Sequence, residues 1–149
     1  MRDNSIKPVP LLLILLLSIV GACKDDDESL TPEQKRVKEL SSTWRATSVM
    51  LNASPADGYN DFLLTLTGTL DYSVSGGPGS LPFPPSGNWE LGADITNQII
   101  IASGNENIAA EYTLDGENLI IQLNYTGNGF PNSRISGLTG SWAFNFTKN

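Results

Sequence analysis

One thiol and no imidazole bound the chemistry open to this 149-residue chain. Cys23 is the only cysteine, and histidine is absent. Histidine-dependent triads and typical zinc sites are therefore excluded, as is a cysteine nucleophile if that thiol is blocked. Carboxylates remain for acid and base work. Glu90 with Asp94, or Glu111 with a neighbour, would suit a glycosidase-like pair. Solvent-facing acids on strand edges and turns account for these residues more simply, and we expect no enzyme. Asp57-Gly58-Tyr59-Asn60-Asp61 and Asn105-Glu106-Asn107 hold enough oxygen for calcium but lack the EF-hand spacing. Asx-rich turns explain both without a metal, so no metal or cofactor is expected.

The position of Cys23 says more than its reactivity. Arg2 and Lys7 precede an apolar run from Leu11 to Val20, which ends at the small residues Gly21 and Ala22. Such a run is a secretory signal peptide. It is too short to cross a hydrocarbon core, which needs roughly 20 residues. Val20-Gly21-Ala22-Cys23 resembles the bacterial lipobox, which implies lipid on the thiol and cleavage before Cys23. An unpaired thiol would otherwise be a liability in an oxidising compartment. Acyl chains contribute about 0.8 kcal/mol per buried methylene, so two or more anchor a protein stably where one does not.

The next residues, Lys24, Asp25, Asp26, Asp27 and Glu28, repel one another and bury nothing, as a solvated spacer would. They also resemble the surface-export signal of Bacteroidota lipoproteins. The expected address is the outer membrane, on the cell surface, with the membrane as partner through the N-terminal lipid. The expected division is a signal peptide over 1–22, an acidic tether over 23–30, a short helix over 31–40 and a β-barrel domain over 41–149.

Residues 1–22 carry Arg2, Lys7 and Asp3, so their removal takes the formal net charge from −7 to −8. A nucleic-acid groove needs clustered Lys and Arg. After Thr43 only Arg45, Arg134 and Lys148 are basic, so nucleic acid is not an expected partner. Just over a hundred residues follow the tether, enough for one core.

Thr31-Pro32-Glu33-Gln34 predicts a helix start: a capping threonine, a proline at the first helical position and a glutamine able to reach back to the cap. Val37 and Leu40 give it a narrow apolar stripe, suited to resting on the end of a larger body. From Trp44 the period becomes two. Phe62 to Ser75 predicts one long half-buried strand, with Gly68 supplying a bend inside it. Alternation recurs over Ile108–Leu114, Leu119–Tyr125 and Trp142–Phe146, and Asp115-Gly116-Glu117-Asn118 predicts the hairpin between the first two. Shorter candidates are Trp44–Leu51, Asn88–Leu91 and Gln98–Ala102.

Seven or eight such strands, each with one apolar face, predict an all-β fold: a small antiparallel up-and-down barrel with a short N-terminal helix. Three stretches carry a family resemblance: Leu40-Ser41-Ser42-Thr43-Trp44, Phe83-Pro84-Pro85-Ser86-Gly87-Asn88-Trp89 and Gly137-Leu138-Thr139-Gly140-Ser141-Trp142-Ala143-Phe144. Together they resemble the lipocalin-like domains of Bacteroidota lipoproteins. The first strand reads Ser-Thr-Trp where true lipocalins have Gly-x-Trp, and Arg134 would be the basic residue stacked on that tryptophan.

The resemblance implies a barrel that holds a small apolar or amphipathic ligand. An eight-stranded bore is just wide enough either to hold one or to be filled by side chains. Trp89 and Tyr112 are the wall candidates for ligand contact, and Phe83, in the Gly76–Gly87 loop with its four prolines and four glycines, either closes the mouth over a ligand or, more simply, packs on the outer wall or plugs one end. The alternative is a filled barrel whose loops bind a glycan or a protein.

Overall fold

The computed structural model describes residues 30–78, 82, 84–103, 106–126 and 139–149. Cys23, the Lys24–Glu28 run, Phe83, Asn105 and Arg134 lie outside them. No helix among the described residues is long and apolar enough to cross a membrane. All of the fold below lies within Thr31–Asn149.

The helix α1, Pro32–Leu40, begins as expected: the Gln34 amide donates to Thr31 Oγ1 at 3.2 Å and the Thr31 amide to Gln34 Oε1 at 2.9 Å, a complete capping box. Leu40 is fully buried and Val37 packs partly against the core. Trp44, just beyond, donates its indole N–H to the Leu40 carbonyl at 2.9 Å. The helix therefore seats on one end of the body rather than forming a core of its own.

Nine strands follow: β1 (Ser42–Leu51), β2 (Ser54–Pro55), β3 (Leu63–Leu66), β4 (Asp71–Ser75), β5 (Ser86–Leu91), β6 (Gln98–Ser103), β7 (Glu106–Asp115), β8 (Asn118–Tyr125) and β9 (Gly140–Lys148). β2 is a two-residue stub hairpinned onto β1. The other eight form an antiparallel meander, and β1 pairs with β9 to close it. The fold is thus an all-β, eight-stranded, up-and-down closed barrel with one short N-terminal helix. Closure leaves the eight strands with no long free edge to recruit another chain.

A bulge makes closure compatible with the hydrophobic pattern. On β1, Ala46 faces Phe146 and Ser48 faces Asn145, so Thr47 is an extra residue. Inward positions change parity across it: Trp44 and Ala46 are buried before, Val49 after, while Thr47 and Ser48 are both exposed. Such a bulge bends the strand and increases its twist. Ser42–Arg45 of β1 pair with β3, while Trp44–Leu51 follow β9 across the bulge.

The expected single strand over Phe62–Ser75 is corrected to two, β3 and β4, joined by a turn over Thr67–Leu70. Thr67 Oγ1 accepts from the Asp71 amide at 3.1 Å, and Thr69 Oγ1 donates to Asp71 Oδ2 at 2.8 Å. These side-chain bonds offer the backbone an alternative to the ladder. Gly68 is thus a turn residue rather than a bend inside a strand. Leu70, which a single strand alternating with Leu64 and Leu66 would turn inward, has a φ of +66° and is the one large hydrophobic residue exposed among those described. The turn has an even number of residues, so the alternation on either side stays in phase and hides the break. The β7–β8 hairpin is as expected, except that Gly116 alone takes a positive φ, +58°, consistent with a type II′ turn.

The core is apolar throughout: the buried set among the described residues contains no charged or amide side chain. β9 supplies its spine. Register places Trp142 between Leu51 and Leu123, Phe144 between Val49 and Ile121, and Phe146 between Ala46 and Leu119. Each aromatic ring is thereby flanked by smaller side chains on both neighbouring strands, which fills a narrow bore without overlap.

Candidate functional site

The interior is where a lipocalin-like ligand would sit, and the two wall candidates are there. Trp89 on β5 and Tyr112 on β7 both point inward, 1 % and 3 % exposed. A cavity large enough for a ligand would leave room for water against the side chains lining it. Trp44, Trp89, Phe62, Phe144, Leu64, Leu119 and Ile121 are all less than 2 % exposed. Five aromatic rings interlock in the same bore. Phe144 stacks on Trp142 at 5.6 Å and on Phe146 at 6.0 Å, while Tyr59 sets its edge against Phe62, Trp142 and Phe144. Such geometries are favoured by the ring quadrupoles.

The polar tips of the inward aromatics are engaged by the connections between elements. The Trp44 indole donates to the Leu40 carbonyl at the end of α1, and the Trp89 indole to the Thr67 carbonyl in the β3–β4 turn at 3.2 Å. The Tyr112 hydroxyl donates to the Ile95 carbonyl in the β5–β6 connection, and the Tyr72 hydroxyl to the Pro84 carbonyl at 3.1 Å. The first three of these carbonyls belong to the end of the barrel that carries α1. Arg36 adds a guanidinium 6.0 Å above the Tyr112 ring, within cation–π range. Trp89 and Tyr112 therefore act on the protein itself, tying turns and helix across one mouth of the barrel.

Burial acts on the phenols accordingly. It pushes the Tyr59 and Tyr72 hydroxyls up to about 12. Burial also raises Tyr112, an effect that the nearby Arg36 charge opposes and Glu39 and Asp94 reinforce. A desolvated phenol resists ionisation because its charged form loses water.

The acids considered as a catalytic pair take separate surroundings. Asp94 accepts from the Thr96 amide at 2.9 Å and the Thr96 hydroxyl at 2.6 Å, and these bonds hold its carboxyl below the usual range. It is an Asx-turn residue in the β5–β6 connection. Glu90 is exposed on the wall of β5. Among the described residues no group of three or more Asp, Glu, Cys or His side chains is placed to hold a metal ion.

Glu111 does enter a site, one not foreseen from sequence. A groove of about 390 Å³ crosses the outer wall of β6 to β9, lined by Gln98, Ala109, Glu111, Gln122, Asn124 and Ser141 among others. Gln98 pairs with Glu111 and Glu111 with Gln122, so three polar side chains stand abreast. Asn124 pairs with Ser141 in the next row. Along each strand these residues read only as the wet half of an alternation. Their neighbourhood comes from a register that no single segment contains. A second hollow, of about 340 Å³, lies between α1 and the β7–β8 turn, lined by Arg36, Glu39, Leu114, Gly116 and Lys148.

No family model, curated protein or solved structure matches this chain.

Proposed function

We propose that this chain is a lipid-anchored protein of the outer membrane, displayed on the cell surface, whose filled barrel is a rigid stand for an external partner, a glycan or a protein. The supporting observation is the engaged interior: the wall residues that would meet an apolar cargo are closed on one another, and their N–H and O–H groups bond to connecting segments. Displacing them to admit a ligand would leave those polar groups unpaired, at a cost of about 1–3 kcal/mol each. The wall and loops are then the surfaces left for recognition. In this reading Cys23 carries the anchor, the Lys24–Glu28 run directs surface export, and the protein has no catalytic role.

The reading of the interior is tested by titrating the purified protein with palmitate and with 1-anilinonaphthalene-8-sulfonate. We expect no saturable response from the tryptophans. Stoichiometric uptake accompanied by a shift in Trp89 fluorescence would return the barrel to the carriers of small apolar ligands. The address is tested separately by Cys23→Ala, which should release the protein from the membrane fraction. Retention in that fraction would remove the lipobox reading.

A further inference from the structure

Building on the filled-barrel reading, we propose that the groove across β6 to β9 is a binding site for a neutral saccharide. Its volume, about 390 Å³, lies within the range of small-molecule sites, about 300–1,000 Å³. Its described lining sets two Gln side chains, an Asn, a Ser and Glu111 beside Ala109, Ala110 and Leu123, and Glu111 is the one charged residue among them. Amides and hydroxyls both donate and accept, as sugar hydroxyls do, and a carboxylate adds a charge-assisted acceptor.

Cross-strand neighbours stand about 4.5–5.5 Å apart at Cβ, so Glu111, Gln122 and the amide N–H groups of Gln98, whose Oε1 accepts from the Asp94 amide at 3.3 Å, reach hydroxyls around one ring. Ala109 and Ser141, small side chains in the adjoining row, give the groove its depth. Glu111, Gln122 and Asn124 are exposed, and their side chains bond to no other described residue, so a ligand meets them without breaking an existing bond.

Charge selects the class of sugar. The described cations, Lys35, Arg36, Lys38, Arg45 and Lys148, lie on α1, in the first half of β1 or at the end of β9, and none lines the groove. Among the described residues, phosphorylated, sulfated or uronic-acid sugars would meet one charge, that of Glu111, of like sign. With no aromatic ring among the described lining residues, the expected affinity is on the order of millimolar.

The test is a titration of the isotope-labelled full chain, in a detergent without a sugar headgroup, with glucose, galactose, mannose and N-acetylglucosamine, and with glucuronate as a charged control. At least one neutral sugar should give saturable shifts in the side-chain amide signals of Gln98, Gln122 and Asn124, and glucuronate should give none. Ala109→Tyr, which fills the groove from an exposed position, should weaken that response at least tenfold, and Gln122→Ala severalfold. No saturable shift with any neutral sugar overturns the proposal. So do shifts confined to loops, although these leave the external-partner reading standing. That reading fails on a different result, saturable uptake of an apolar probe into the barrel.

Discussion

Gly76→Ala is expected to destabilise the protein by about 2–5 kcal/mol, enough to leave a marginal domain largely unfolded at 37 °C. Gly76 follows β4 with a φ of +67°, where an L side chain is strained. A Cβ there would lie 1.9 Å from the Asp61 carbonyl oxygen and 2.6 Å from its carbon. Neither atom is the end of a flexible side chain. They belong to the backbone that leads into Phe62 and β3, so relief requires moving the strand. Gly116→Ala is the control: its φ is also positive, +58°, but a Cβ would meet nothing within 4 Å. It should lose only the dihedral contribution, about 1–2 kcal/mol. Urea melts with unchanged slope would give the two midpoints. Equal losses at both positions would mean that the contact at Asp61 is relieved at no cost.

Phe144→Ala should cost about 3–5 kcal/mol, as fully buried aromatic truncations do. Phe144 has no exposed surface, stacks between Trp142 and Phe146, and lies on the strand that closes the barrel. It touches both halves of the closure, opposite Val49 on β1 and Ile121 on β8. The same substitution opens a dry apolar void, of the kind that binds benzene when engineered into other cores. The variant should therefore gain a saturable site for benzene or a similar small hydrocarbon that the parent lacks. A loss under 1 kcal/mol, or equal benzene binding by parent and variant, would show that the bore is not packed as described.

Where one segment carries its own signal, the fold was legible. Leu119, Ile121, Leu123 and Tyr125 alternate without interruption, and all four are buried on β8. Thr31 and Gln34 marked the start of α1 because a capping box is contained in four residues. Reading failed where the deciding contact is local but silent in the period: an even-numbered turn at Thr67–Leu70 keeps phase, so two strands looked like one. The bulge at Thr47 escaped for the opposite reason, since a parity change within ten residues reads as an imperfect strand.

The site was less legible than the fold. The inward placement of Trp89 and Tyr112 followed from alternation, but their bonds to the Thr67 and Ile95 carbonyls depend on where two connections return. The outer groove is invisible without the register that sets Glu111 between Gln98 and Gln122.

Closure by β1 and β9 also fixes when this protein can fold. Arg45 and Asn149, bonded through their side chains across that seam, are 104 residues apart in the chain. The remaining barrel pairs join strands adjacent in the meander, so each hairpin from β3 to β9 can form as soon as it exists. The seam alone must wait for β9, and it carries the largest share of the loop-closure entropy. Until then Trp44, Val49 and the aromatic face of β9 have no partners on one side. Barrel closure is therefore the late, cooperative step of folding, and the strands that precede β9 remain an open meander until it is in place.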